Sequence, residues 1–131
     1  YGKPHTFSVL SLLYPTLDFR NRFHQDHIFP RKFFKKPEMR KKGIPESQWD
    51  EFQESQNLIA NLQLLEGLPN EEKSSKEFKV WLEETYPNPA ERKEFMNRHL
   101  IPEDIDLSFN NFLVFIKRRN ELILNQLKQI L

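Results

Sequence analysis

The chain has 131 residues, with 20 lysines and arginines against 19 aspartates and glutamates, for a net charge of +1. It has no cysteine, which excludes disulfides and thiolate metal sites and fits a cytoplasmic protein. Its apolar runs, such as VLSLL, are far too short to span a bilayer.

The length suits one domain, residues 1–131. The chain begins Tyr1-Gly2 without a methionine, which reads as a piece of a longer protein. Phe7, Leu10, Leu13 and Tyr14 recur at helical spacing until Pro15, predicting a helix over 5–14. Residues 23–29 read as an extended segment that ends at Pro30. Residues 31–43, with Pro37 and Gly43, read as a loop. Pro45 opens a helix carrying Trp49 and Phe52 to about Asn57. In Leu58–Leu65, Leu62 and Leu64 alternate with Asn61 and Gln63, as in a short strand.

Gly67 to Asn70 forms a turn into a helix with Glu71 and Glu72 in its first turn, where acids suit the dipole. Phe78, Trp81 and Leu82 form the apolar face of that same helix. Past Pro87, residues 89–99 read as another helix. A linker with Asp106 or Ser108 as N-cap leads to the last helix, 109–131. Phe109, Phe112, Leu113, Ile116, Ile123, Leu124, Leu127 and Ile130 mark its apolar face. The sum is an α+β fold, mostly α.

Charge is unevenly placed. Arg31, Lys32, Lys35, Lys36, Arg40, Lys41 and Lys42 crowd one stretch with only Glu38 against them. Such a run is either a phosphate-contacting patch or a solvated loop. Just before it stands HQDH, His24 to His27. In an extended segment His24 and Asp26 share a face, with His27 on the other face or at the strand end. A carboxylate suits hard Mg²⁺ or Mn²⁺, and an imidazole accepts a proton near neutral pH. A polar turn with hydrogen-bonded histidines is the other reading of the same four residues. Likewise Asn61 reads as a turn residue and Asn70 as a helix N-cap.

Taken together, D26-H27-I28-F29-P30, then N61-L62-Q63-L64-L65, then N70-E71-E72-K73 resemble HNH nucleases of the ββα-metal type. The same order is seen in the HNH domain of RNA-guided CRISPR nucleases. The whole chain is similar to the C-terminal nuclease domain of GmrSD-type modification-dependent restriction and phage-defence proteins. Those carry H-x-D-H-I-F-P, here His24 to Pro30, and N-x-x-K-S, here Asn70 to Ser74. Ala60 stands where glycine is frequent before the asparagine.

The resemblance implies a small ββα-metal core, about 23–85, wrapped by helices from both ends, with a helical part over 86–131. It implies His27 as general base and one divalent ion, Mg²⁺ or Mn²⁺, held by Asp26 and Asn70, with His24 beside it. Asn61 would brace the loop and orient the base, and Lys73 would contact phosphate or balance charge. Arg31, Lys32, Lys35 and Lys36 would grip flanking phosphates of DNA. A nucleotide-dependent regulatory domain would precede this one in the parent protein. No residue here distinguishes DNA from RNA. A different class remains open: a silent nucleic-acid-binding or protein-interaction module.

Overall fold

The computed structural model describes residues 1–14, 21–68 and 71–130. The fold is α+β and mostly helical. Helix α1, Pro4–Ser11, starts on a proline in its first turn, where a missing N–H costs nothing. It ends before the expected Tyr14, and Pro15 lies outside the described residues. Strand β1, Phe23–His27, pairs antiparallel with β2, Leu62–Glu66. The register sets Asp26 opposite Gln63 and His27 opposite Leu62. The first part of the expected second strand is instead a 3₁₀ turn, Ile59–Asn61.

The basic stretch is not a loop. A 3₁₀ turn, Arg31–Phe34, leads into helix α2, Lys36–Lys41. Pro37 sits in the first turn of α2, and Gly43 closes it with φ +74°. Ile44 N donates to Met39 O at 3.0 Å and Gly43 N to Arg40 O at 3.0 Å, a closure that needs a left-handed residue. Proline and glycine therefore bracket this helix rather than forbid it. Helix α3, Glu46–Ser55, follows.

The single helix expected from Glu71 divides into α4, Glu71–Ser74, and α5, Phe78–Thr85. The hydroxyls of Ser74 and Ser75 donate to the carbonyls of Glu71 and Glu72 at 3.0 and 2.9 Å. Serine offers the backbone an alternative to the helical ladder, and the chain turns there. Helix α6, Pro89–Arg98, is capped by Asn88, whose Oδ1 accepts from Ala90 N at 2.8 Å. A 3₁₀ turn, Phe109–Asn111, then leads into α7, Phe112–Ile130. Ser108 precedes that turn without capping it through its side chain. The Asp106 carboxylate accepts instead, from Ser108 N at 3.1 Å. No helix among the described residues is long and apolar enough to cross a membrane.

Two apolar clusters flank the strand pair. Phe29, 1% exposed, meets Phe78, Phe109, Phe112 and Phe115 at ring distances of 4.8 to 6.4 Å. Such tilted and edge-on contacts each add about 0.5–1.5 kcal/mol beyond area burial. They anchor the chain two residues after His27. Phe33 and Phe34 are buried in the same cluster. Leu62 and Leu64 pack on the other side with Leu10, Tyr14 and Ile123. On α7 the buried face is Phe112, Phe115, Arg119 and Ile123. Leu124 and Ile130, expected on the apolar face, are about half exposed.

His99 is buried beneath the second cluster. Leu64 N donates to the Tyr14 hydroxyl at 3.2 Å, and that hydroxyl is hydrogen-bonded to His99 Nδ1 at 2.8 Å. Burial, with the charges of Arg119, Arg98 and Lys73, lowers the His99 pKa from 6.5 to about 3. Between those values the ring is neutral when folded and protonated when unfolded, so acid favours the unfolded chain. Stability due to His99 is complete above pH 6.5 and lost as pH falls toward 3. Between pH 6.5 and 5 the loss is about 2 kcal/mol. Thermal midpoints at pH 7 and pH 5 check this: His99→Phe is expected to flatten the difference, and an unchanged difference refutes it.

Candidate nuclease site

Among the described residues strand β1 pairs with β2 alone, so its other edge is open. That edge walls a cavity of about 710 Å³ lined by His24, Asp26, His27, Arg31, Lys32 and Lys35, among others. Lys36 is exposed at the start of α2 and does not line it. Asn70 lies outside the described residues.

His27 is 7% exposed. Its Nε2 lies 2.7 Å from Asn57 Oδ1, and the Tyr1 ring covers it at 4.2 Å. Burial holds its pKa below the ordinary 6.5; Asn57 opposes this and Arg31 adds to it. The ring is therefore neutral at neutral pH, the state in which an imidazole takes a proton.

Asp26 is tied through one oxygen. Oδ2 accepts from Gln63 Nε2 at 2.8 Å and pairs with Lys73 Nζ at 2.8 Å; Oδ1 takes part in neither contact. Lys73 is 1% exposed and also donates to the carbonyls of His27 and Ile28 at 2.9 and 3.3 Å. Burial lowers its pKa while Asp26 raises it. Of its two expected roles, phosphate contact needs an exposed ammonium, which this position denies. Charge balance is the role its position allows.

Asn61 is fully buried and makes no bond to His27, contrary to expectation. Its Oδ1 accepts from Phe29 N at 2.9 Å, and its Nδ2 donates to Phe29 O at 3.1 Å and Gln56 O at 2.8 Å. It braces the backbone after β1, and the direct partner of the His27 ring is Asn57. Sequence reading missed Asn57, which follows α3 and resembles any polar residue at a helix end.

His24 Nδ1 donates to Gly67 O at 2.8 Å, and its Nε2 is buried and unpartnered among the described residues. Among those residues, no three His, Cys, Asp or Glu side chains gather closely enough to hold a metal ion. What is present is sparse: one hard carboxylate oxygen on Asp26, outside both of its contacts, and one imidazole nitrogen on His24, a borderline donor. The carboxylate suits Mg²⁺, which keeps most of its waters, and two donors do not make a closed structural zinc site. No protein-family model matches the chain, and no curated protein matches it.

Proposed function

We propose that the chain is a metal-dependent endonuclease domain of HNH type that hydrolyses or nicks DNA, in restriction or phage defence. The observation that carries this reading is the single cavity onto which a neutral buried imidazole, a carboxylate and three cations open. In it His27 takes the proton of the attacking water. Asp26, with His24 and Asn70, would hold one Mg²⁺ or Mn²⁺. That ion, when bound, offsets the charge developing on the phosphate. Lys73 lies under the site and, paired with Asp26 at 2.8 Å, fixes where that carboxylate points. Arg31, Lys32 and Lys35 hold flanking phosphates, with little preference for sequence.

A second reading, phosphate binding without chemistry, is favoured by one contact: Asp26 already has a counter-cation in Lys73. Relaxation of supercoiled plasmid decides between them. Nicking with Mg²⁺ or Mn²⁺ that stops in EDTA supports the nuclease. Metal-independent binding with no nicking, in the presence of the parent's regulatory domain, supports the silent module. An RNA substrate run in parallel decides the nucleic acid.

The cations carry a separate prediction. Replacing Lys32 and Lys35 together by alanine is expected to make the slope of log affinity against log salt shallower by about two. An unchanged slope from binding isotherms at several salt concentrations refutes their phosphate contacts.

A further inference from the structure

We propose that Asn57 is a positioning residue for His27, fixing the imidazole with its hydrogen on Nε2 and its lone pair on Nδ1. The use of that lone pair in catalysis rests on the nuclease reading; the hold itself rests on geometry.

A carboxamide oxygen can only accept. With Asn57 Oδ1 at 2.7 Å from Nε2, Nε2 must be the donor, so Nδ1 is the nitrogen left to accept a proton. Both ends of this bond are fixed by the same buried residue. On one side, Asn61 O accepts from Ile28 N at 2.8 Å, and the Asn61 amide makes both bonds to Phe29. On the other, Asn61 Nδ2 holds Gln56 O at 2.8 Å, next to Asn57. Asn61 N donates to Leu58 O at 2.8 Å, just beyond Asn57. Asn61 therefore clamps the two segments together, and Asn57 spans the gap to the ring.

Asn57 is exposed, whereas Asn61 is fully buried. The two are separable by substitution: Asn57→Leu leaves the clamp intact, and Asn61→Ala removes it. No other hydrogen bond to the His27 ring exists among the described residues, so without Asn57 neither ring nitrogen has a partner to select it.

The test uses nitrogen chemical shifts of the His27 ring in the 131-residue chain, read by long-range proton–nitrogen correlation. In the wild type, Nε2 is expected at a protonated position and Nδ1 at an unprotonated one. In Asn57→Leu the two are expected to move toward each other as both tautomers populate. Asn57→Asp, which keeps an acceptor, is expected to restore them. A wild-type ring protonated on Nδ1, or shifts unmoved in Asn57→Leu, overturns the proposal.

In the nicking assay Asn57→Leu is expected to lower kcat about 10-fold with KM unchanged, below the effect of losing the base itself. Full kcat in that variant overturns the positioning role while the nuclease reading stands. If the wild type cleaves nothing even with the parent's regulatory domain present, the nuclease reading fails and the nitrogen shifts still decide the hold.

Discussion

His27→Ala is expected to abolish metal-dependent nicking, lowering its rate by about 10²–10⁴-fold, the share a positioned general base supplies. Binding to the plasmid is expected to stay near wild type, because Arg31, Lys32 and Lys35 stand on the 3₁₀ turn and the residue after it and are untouched. The substitution empties a site 7% exposed, so some stability is lost with the ring. Asn57 is exposed, and its freed oxygen passes to water at little cost. Rate and binding must therefore separate. Measuring both on one preparation gives the answer. Equal nicking by the variant would move the base elsewhere, and a parallel loss of binding would mean that His27 acts through folding.

The largest effect on stability is expected at Arg119, which is fully buried and pairs with no carboxylate among the described residues. Its Nη1 donates to Ile59 O at 3.0 Å and Leu62 O at 2.7 Å, and its Nη2 donates to His99 O at 3.1 Å. Burial lowers its pKa to about 10, so it stays a cation at neutral pH. Replacing a buried ion pair by apolar groups can be neutral when both partners go. Here the partners are backbone carbonyls and cannot be removed. Arg119→Met leaves three acceptors short of a donor at about 1–3 kcal/mol each, partly offset by the desolvation the guanidinium no longer suffers. The expected net loss is about 3 kcal/mol. Arg119→Lys is expected to recover only part of it, since one ammonium cannot reach carbonyls that the planar fork spans. Urea midpoints at unchanged m value give the number, and a loss under about 0.5 kcal/mol would contradict the assignment.

Arg119 also shows where sequence reading runs out. Phe115, Arg119 and Ile123 are spaced four apart, one helix face, yet an arginine reads by default as solvent-facing, and the face was drawn without it. In α2 the signals were present and were given the wrong sign: proline in a first turn and glycine just past a last turn delimit a helix. The break between α4 and α5 turns on serine hydroxyls that compete locally with the ladder, which an apolar pattern does not register. The strand pair was easier to see, because Leu62 and Leu64 alternate and Pro30 ends the first run.

At the site, Asp26, His27 and the cations that follow them were legible because they are neighbours in the chain, and one open strand edge presents them together. The bond from His27 to Asn57 spans 30 residues and carries no local signature. The burial of Lys73 likewise depends on Trp81 and Phe78, whose rings lie 5.1 and 5.8 Å from its ammonium.

The three carbonyls held by Arg119 have a consequence for the order in which the molecule can be made. Two of them precede their donor by 60 and 57 residues, and Phe29 waits for Phe112 and Phe115 from the same helix. A ribosome has released the whole HQDH stretch, both strands and helices α1 to α6 before the groups that hold the strand pair in place leave the exit tunnel. From its own release until α7 emerges, the candidate base is present in the nascent chain without the helix that supports its strand pair.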